Sequence, residues 1–321
     1  MSVCTDVSIL VVCYKSIDLI GPTLQGVFEH TEGCEYEVLL ADCSDDGTIP
    51  WVAEHYPQVK IIPNDENLGF ARGNNFLSQH ANGRHLLLLN PDVIVHDNAI
   101  GELYRCSLRY PDAGAWGGQT RLPDGRIDPS CQQSTPTLAR LALAAIGQES
   151  KTIGGLSPGA KQTAAVEGLS GAFLMISRDT WNEFQGFDTS FFMYAEELDL
   201  CYRLRKSGRE LIMTPDAEIT HLVGGGSALN PKRATSIARA KMHFLRKHRS
   251  PAYAFASGLL LWLGAFNRML SGVLGKSERA SRMRTSHGSV ALHPNRWWSG
   301  YTGGDVKTSP AVPSTSRTPP Q

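Results

Sequence analysis

Two polar groups in this sequence have the residue types and positions of a cation-binding site. The first, Asn90-Pro91-Asp92, follows an apolar run at 86–89. A carboxylate at the end of a buried strand is a hard oxygen ligand of the kind that holds a divalent cation on a diphosphate. Taken alone, however, Asp92 is more typical of a helix cap or turn. The second is His221, which ends a strand-like run before the glycines at 224–226. A single His is more often structural, but at this position it can complete a metal or phosphate site.

A third group places three carboxylates, Glu196, Glu197 and Asp199, within four residues. Neighbouring negative charges raise each other's pKa, and a carboxylate with a raised pKa can act as a general base. The alternative is a solvated helix start, where acids favour the helix dipole and Asp199 pairs with Arg203 four residues on. Both alternatives stay open for Asp199, whereas the apolar neighbours of the glutamates favour a functional role.

Strand and helix patterns alternate through the first hundred residues and must position these groups. Strands are predicted at 7–12, 36–41, 59–62 and 85–89, with helices at 17–30, about 48–56 and 70–80. Strands separated by helices form right-handed crossovers and a mostly parallel sheet. Ligands of such sheets bind at the carboxyl ends of the strands. The pattern therefore predicts an α/β fold with its site at one edge of the sheet.

Composition excludes several protein classes and divides the chain by charge. The 321 residues are 41% hydrophobic and 19% charged, which excludes a collagen, a coiled coil and a disulfide-rich miniprotein. Seven scattered cysteines without a CxxC pair indicate free thiols, and the start of the chain lacks a signal-peptide pattern, so we predict a cytoplasmic protein. Residues 1–227 carry 16 Lys and Arg against 29 Asp and Glu, a net −13, whereas residues 228–321 carry 15 against 2, a net +13. This asymmetry indicates cation chemistry in the first part and an anionic partner for the second.

The basic part contains an apolar run of fifteen residues at 252–266. This run is shorter than the roughly 20 residues that span a bilayer, so we predict that 230–275 attaches peripherally to a membrane surface. The alternative is a helix packed on the domain or on a second subunit. The cations before the run are Lys232, Arg233, Arg239, Lys241, Arg246, Lys247 and Arg249. The predicted parts are a catalytic domain at 1–229, a helical extension at 230–275 and a disordered tail, rich in Ser, Thr, Pro and Arg, at 276–321.

Nine segments share the order and spacing of a known family. They are 11–15, 67–75, 89–92, 123–125, 168–173, 186–188, 192–203, His221 and Ser227. Together they resemble the inverting glycosyltransferases of family 2, which have the GT-A fold, a Rossmann-like mixed sheet with flanking helices. Within that family the chain is most similar to the bacterial rhamnosyltransferase-like group. The resemblance covers about residues 6–250.

The resemblance implies a role for each matching position. Asp92 stands at the last acid of the family's metal-binding DxD motif, and His221 stands at a second ligand of Mg²⁺ or Mn²⁺. Glu197 stands at the base that deprotonates the acceptor hydroxyl, and Glu196 would support the acceptor or that base. The implied nucleotide-sugar contacts are Tyr14, Asp42, Arg72, Asn90 and Asp92.

Three positions depart from the family pattern. Asn90 replaces the first acid of DxD, which leaves fewer anionic ligands, and Glu197 replaces an Asp, which moves the carboxylate outward by one methylene. Ala41 falls where the nucleotide-binding Asp is expected, with Asp42 one place later. These departures keep open a second hypothesis, a catalytically weak sugar-nucleotide-binding or scaffold protein of the same fold.

The resemblance implies a metal-dependent inverting hexosyltransferase. It would move a sugar, with rhamnose as one candidate, from a dTDP-, UDP- or GDP-sugar to a hydroxyl of a glycan or lipid-linked acceptor in cell-envelope polysaccharide synthesis. We expect it at the inner face of the cell membrane, and a homodimer stays open. A nicotinamide oxidoreductase is disfavoured because no GxGxxG follows the first strand. A nucleic-acid partner is not expected because the first part of the chain is acidic and no recognised nucleic-acid motif is present.

Overall fold

The computed structural model describes residues 5–148, 162–222, 230–275 and 277–302. Within these residues a nine-stranded mixed sheet is flanked by helices. The strands are β1 (Val7–Cys13), β2 (Tyr36–Asp42), β3 (Lys60–Ile61), β4 (His85–Leu89), β5 (Val93–Val95), β6 (Ala115–Arg121), β7 (Ala164–Val166), β8 (Phe173–Ser177) and β9 (Leu211–His221). The helices are α1 (Ile20–His30), α2 (Thr48–His55), α3 (Gly69–Ser78), α4 (Ala99–Arg109), α5 (Leu138–Ala145), α6 (Arg178–Glu183), α7 (Glu196–Lys206), α8 (Pro231–His248), α9 (Pro251–Leu274) and α10 (Glu278–Ala291).

The order of the strands brings several of their carboxyl ends together. Neighbours run β3-β2-β1-β4-β8-β6-β9-β5, and β7 pairs with β9. The first four are mutually parallel, so the turns after β2, β1 and β4 emerge side by side at one edge. β8 is antiparallel to β4 and β6, and β5 is antiparallel to β9. The predicted α/β fold is confirmed, and the four predicted strands lie within one residue of β1 to β4.

Hydrophobic side chains cover both faces of the sheet. In β1, Ile9 packs in a cluster with α1 and α4, whereas the next residue, Leu10, packs in a second cluster with α3 and α7. Successive side chains of a strand point to opposite faces, so a strand covered on both sides is mostly apolar at successive positions. This requirement explains the unbroken apolar run of β4, in which residues 86–89 are all buried.

The C-terminal helices form a third hydrophobic cluster against the start of α7. Its central helix, α9, packs on α5, α8 and α10 and is 24 residues long, so it extends beyond the apolar run at 252–266, and the prediction that this segment is too short to span a bilayer does not hold. The helix continues because no proline interrupts it after Pro251 and Gly275 ends it. By length and composition alone α9 is able to cross a membrane, with a mean hydropathy of 1.2 over eighteen residues, of which 28% are buried.

Residues 277–302 are folded, which corrects the disorder predicted from residue 276 onward. Ser277 caps α10 by accepting a hydrogen bond from the Ala280 amide, and Val290 is buried. Trp297 is fully buried, and its indole donates to the Val290 carbonyl at 2.8 Å. A few well-spaced apolar residues suffice to bury one helix face, and an average composition conceals them. The rest of the predicted tail, at 303–321, and Ser227 lie outside the described residues.

Candidate active site

The turn after β4 lies against the end of β9. In the β5–β9 pair, Val93 stands opposite His221, and the Leu222 amide donates to the Asp92 carbonyl at 2.8 Å. This register places His221 Nε2 3.1 Å from Asp92 Oδ1 and 3.3 Å from Asn90 Nδ2. Two predicted metal ligands, 129 positions apart in the chain, are therefore in direct contact.

Helix α1 holds the turn at residues 90–92 in place through hydrogen bonds. The Thr23 hydroxyl lies 2.9 Å from the Pro91 carbonyl and 2.7 Å from the Val93 carbonyl, and it also accepts from the Val93 amide at 3.2 Å. One helical turn later, a Cβ at Gly26 would lie 2.8 Å from the Val95 carbonyl oxygen. The absence of a side chain at this position therefore lets α1 approach β5 closely enough to hold the turn.

A divalent cation fits this place when a substrate completes its coordination. Among the described residues, no cluster of three or more His, Cys, Asp or Glu could hold a metal, so Asp92 and His221 would supply two ligands. Mg²⁺ commonly takes one or two carboxylates and fills its remaining positions with substrate phosphates and waters. The Asn90 amide offers a further oxygen when its orientation is reversed. The donor set thus suits a cation that arrives with a nucleoside diphosphate.

The two glutamates begin α7 immediately after a strained turn. Tyr194 and Ala195 have φ values of 70° and 67°, in the left-handed region. This conformation costs about 1–2 kcal/mol for an L-residue and persists only where its surroundings impose it. The Tyr301 hydroxyl donates to the Met193 carbonyl and contributes to that constraint. Such strained backbone clusters at active sites.

The environment of the two glutamates separates their pKa values. Burial raises the pKa of Glu197, while hydrogen bonds act in the opposite direction, including one from Gln133 Nε2 at 2.7 Å to Oε1. Burial and the neighbouring charge of Glu197 hold the pKa of Glu196 well above its usual value. Burial thus favours the protonated form of both carboxyl groups, and the Glu197 charge adds to this effect at Glu196. In both, Oε2 is shielded from solvent and has no hydrogen-bond partner among the described residues.

Asp199 is a structural anion. It is fully buried and accepts from Arg203 at 2.8 Å, Lys247 at 2.7 Å and His248 at 2.6 Å. Although burial opposes ionisation, the hydrogen bonds from His248 and Lys247 and the Arg203 charge lower the pKa of Asp199 to about 2. The predicted i,i+4 pair is present, and two partners from α8 extend it. Asp199 thus anchors α7 to α8.

A cleft of about 500 Å³ joins the two halves of the site. Its lining includes Asn90, Gln133, Ser170, Gly171, Glu196, Glu197, His221, Arg233, Ile237 and Lys241. A Cβ at Gly171 would lie 2.8 Å from the Phe70 ring, so a larger residue would force the cleft wall to shift. A single ligand in this cleft would contact both Glu197, a candidate proton acceptor, and His221, one member of the Asp92–His221 pair.

The other predicted nucleotide contacts lie outside this cleft, near the ends of β1 and β2 and on α3. Tyr14 is 52% exposed. Asp42 is buried, which raises its pKa, and its Oδ1 accepts from the amide and hydroxyl of Ser44 at 3.1 and 2.9 Å. Arg72 donates to Glu66 at 2.6 Å. Because β2, β1 and β4 are adjacent and parallel, the first two positions continue the edge that begins at β4, but they do not line the cleft.

Three cleft residues were not identified as site residues from the sequence. Gln133 lies in a segment whose sequence pattern predicts only a long loop. Its backbone amide donates to the Gly168 carbonyl at 2.9 Å. Arg233 and Lys241 were assigned to the membrane-binding cluster, yet both line the cleft. The sequence did contain a sign of this shared position. Arg233, Ile237 and Lys241 are spaced four residues apart, which places them on one face of a helix.

Other members of the predicted membrane-binding cluster hold the fold together. Lys247 bridges Asp188 and Asp199 at 2.6 and 2.7 Å. Arg239 donates to the Arg296 carbonyl at 2.8 Å, and Arg246 to the Trp298 carbonyl at 3.1 Å. The basic pattern therefore reflects packing between α8 and its surroundings as well as any external partner.

Comparison with known sequences identifies relatives over most of the chain. The profile of a family described as glycosyltransferase like family 2 matches residues 5–244. An N-acetylglucosaminyl-diphospho-decaprenol L-rhamnosyltransferase of Mycobacterium tuberculosis is 31% identical over 242 residues, covering 68% of this chain and 73% of the relative.

Two solved structures share the fold. A mannosyltransferase from Pyrobaculum calidifontis, in complex with GDP-Man and Mn²⁺, superposes with a TM-score of 0.56 at 18% identity, covering 93% of this chain and 84% of that chain. GalNAc-T7, with UDP, GalNAc and Mn²⁺, superposes with a TM-score of 0.55 at 13% identity, covering 90% of this chain and 55% of that chain. At these identities the similarity is one of fold.

Proposed function

Because the chain belongs to glycosyltransferase family 2, we propose that it is a metal-dependent inverting glycosyltransferase whose base is Glu197. The observation that carries this assignment is the cleft between Glu197 and the Asp92–His221 pair. Burial raises the pKa of Glu197, which makes the carboxylate a stronger proton acceptor than an exposed one. Its unpartnered Oε2 is a hydrogen-bonding position that a substrate hydroxyl would satisfy.

The donor would lie along the edge formed by the ends of β2, β1 and β4. Its base and ribose would be near Asp42 and Tyr14, with Arg72 facing them from α3, and its diphosphate near Asn90. Asp92 and His221 would hold Mg²⁺ or Mn²⁺, which when bound neutralises charge on the departing nucleoside diphosphate. The nucleotide and Mn²⁺ complexes of both structural neighbours support this arrangement.

Glu197 would take the proton from the acceptor hydroxyl as that oxygen attacks the anomeric carbon. Attack from the face opposite the leaving nucleotide inverts the configuration in one displacement, so the enzyme forms no covalent sugar intermediate. Gln133 holds Oε1, and Oε2, which is shielded from solvent in this structure, would receive the proton when the bound acceptor displaces the groups that cover it. Glu196 stays protonated beside it, adds no negative charge, and is able to donate a hydrogen bond to the acceptor or to Glu197.

For the substrates, we propose a rhamnosyl nucleotide as donor and a lipid-linked sugar as acceptor, in cell-envelope polysaccharide synthesis at the cytoplasmic face of the membrane. The name of the Mycobacterium tuberculosis relative, an L-rhamnosyltransferase for a diphospho-decaprenol-linked sugar, supports both substrates. The length and apolar composition of α9 support a position at the membrane.

Release of nucleoside diphosphate from dTDP-, UDP- and GDP-sugars, with and without acceptor, tests this function. We expect acceptor-dependent release that requires Mg²⁺ or Mn²⁺ and stops with EDTA. Glu197→Gln keeps the shape of the side chain but cannot accept the proton, so kcat should fall by about 10²–10⁴-fold. Donor binding should stay intact in Glu197→Gln.

Glu54→Gln is the matched control, because Glu54 is exposed on α2, away from the cleft. Turnover of Glu197→Gln within threefold of the parent protein would disprove its role as base. Full activity in EDTA would disprove the metal requirement. Donor binding without acceptor-dependent release from any sugar nucleotide would favour a sugar-nucleotide-binding protein.

A further inference from the structure

A second groove, of about 320 Å³, opens beside the catalytic cleft between α5, α8, α9 and α10. Most of its lining is apolar and includes Leu141, Ala144, Leu260, Leu261 and Val290. Ile237 and Lys241 line both the groove and the cleft, so the two spaces adjoin along one face of α8. A molecule with its polar end in the cleft would therefore meet hydrocarbon walls as it extended away from Glu197.

The polar lining of the groove is basic. Lys241, Arg268 and His287 line the groove, and no Asp or Glu of the described residues does so. Arg233 lies about two helical turns before Lys241 and lines the cleft itself. Cations at the junction, combined with apolar walls beyond it, match an amphiphile whose anionic group lies between a sugar and a hydrocarbon chain.

Two of these helices, α9 and α5, expose apolar side chains to the outside. Phe255, Leu259, Leu263, Leu270 and Leu274 on α9 are exposed and recur at helical spacing. Near them, Leu143 on α5 and the following Ile146 are also exposed. A hydrocarbon chain that left the groove would thus find an apolar surface, as it would in a lipid environment.

We propose that this groove binds the hydrocarbon chain of the acceptor, a polyprenyl phosphate or diphosphate ester of a sugar. Its phosphate lies at Lys241 and Arg268, and the sugar hydroxyl enters the cleft toward Glu197. The proposal rests on the function proposed above and adds the place at which the acceptor is recognised. A free anion would use the cations but leave the apolar walls unfilled.

Binding of farnesyl diphosphate and of inorganic diphosphate to the full chain, measured by calorimetry without donor, tests the groove directly. Each buried methylene contributes about 0.8 kcal/mol, or roughly a factor of four, so farnesyl diphosphate should bind more than about tenfold tighter. Ala144→Phe fills the groove and should remove most of this preference while leaving the binding of inorganic diphosphate unchanged. Ala142→Phe, on the exposed side of the same helix, should change neither.

The cations are tested in the same way. Lys241→Met should weaken the binding of both compounds, because it removes a charge that contacts their common phosphate group. Lys232→Met is the matched control, since Lys232 is exposed on the same helix and lines neither space. Equal binding of the two diphosphates, or a farnesyl preference unchanged in Ala144→Phe, would overturn the proposal.

Sugar transfer to the N-acetylglucosaminyl diphosphate esters of farnesol and of methanol tests the groove proposal and the transferase proposal independently. We expect the farnesyl ester to be the better acceptor in the parent protein and the difference to shrink in Ala144→Phe. Equal transfer to both esters would disprove the groove and leave the transferase function standing. Binding of farnesyl diphosphate that Ala144→Phe weakens, without transfer to any acceptor, would keep the groove and disprove the proposed reaction.

Discussion

At the scale of single residues, burial gives adjacent side chains different protonation states. Glu196 and Glu197 are neighbours, yet only Glu197 accepts a hydrogen bond from Gln133. Asp199, two residues after Glu197, accepts hydrogen bonds from Arg203, Lys247 and His248 and has a pKa of about 2. The start of α7 thus contains, within four residues, two carboxyl groups whose pKa burial raises and one whose pKa is lowered.

We expect Glu196→Gln to leave the acid limb of the kcat/KM profile in place, because Glu196 is uncharged while Glu197 titrates. Burial raises the pKa of Glu196 in the folded state. Its contribution to stability is therefore complete below the unfolded pKa of about 4.3 and is lost as pH rises through the folded pKa. Gln does not titrate, so Glu196→Gln removes this loss of stability at high pH. The free energy of unfolding at pH 8 should therefore rise by about 1 kcal/mol or more.

The pH dependence of kcat/KM and urea unfolding at pH 5 and pH 8 measure these effects, with Glu54→Gln as control. A stability gain that is the same at both pH values would contradict the raised pKa. An acid limb displaced to lower pH by about one pH unit or more would show that Glu196 is ionised when Glu197 titrates.

The strand pattern predicted a site at the carboxyl edge of the sheet, and the resemblance to the family grouped Asp92, His221 and Glu197 there. They could not show that Asp92 touches His221, since that contact depends on the register of β5 against β9. Gln133 gave no local signal at all. Its role arises only when the loop at 129–135 folds back onto the start of α7.

At the scale of elements, α1 determines the position of the turn that carries Asp92. We expect Thr23→Val to cost about 1–3 kcal/mol, because the Val93 amide loses its side-chain acceptor. Metal-dependent nucleotide binding should weaken as well, since the turn is no longer held. Urea unfolding and nucleotide titration with Mn²⁺ measure the two effects.

Thr31→Val at the end of the same helix is the control, because the Thr31 hydroxyl has no hydrogen-bond partner within the described ranges. We expect it to be neutral in both measurements. Equal losses in the two variants would mean that the Thr23 hydroxyl does not position the turn.

Strand positions were predictable because an unbroken apolar run has one physical cause, burial on both faces. The C-terminal helices were harder to predict, because their buried faces are built from small or widely spaced residues such as Ala254, Gly258 and Ala265. A composition count treats these residues as neutral, and only their partners on α5, α8 and α10 reveal which face is buried.

At the scale of the molecule, the C-terminal segment closes on the catalytic turn. The family profile ends at residue 244, yet Tyr301 donates to Met193, 108 positions earlier, and its ring packs near Phe191. Lys247 likewise joins the basic part of the chain to Asp188 and Asp199 of the acidic part. The charge asymmetry of the sequence is therefore partly neutralised inside the fold.

We expect Tyr301→Phe to lower kcat several-fold with little change in the KM of the donor, because the turn at Tyr194 and Ala195 loses one of its constraints. The lost hydrogen bond should also cost about 1 kcal/mol of stability. Steady-state kinetics and thermal unfolding measure both. Tyr110→Phe, an exposed tyrosine that directly follows α4, is the control, and an equal fall in kcat there would disprove the effect.

The shielding of Glu197 Oε2 has a consequence for the end of each catalytic cycle. With Glu197 as the proposed base, every transfer would leave one proton on a carboxyl group whose Oε2 is shielded from solvent, beside Glu196, whose pKa is held well above its usual value. The enzyme is therefore not ready for a second substrate when the glycosidic bond has formed. The proton leaves only when Oε2 becomes exposed to solvent, so we expect product departure and the return of Glu197 to its ionised form to coincide.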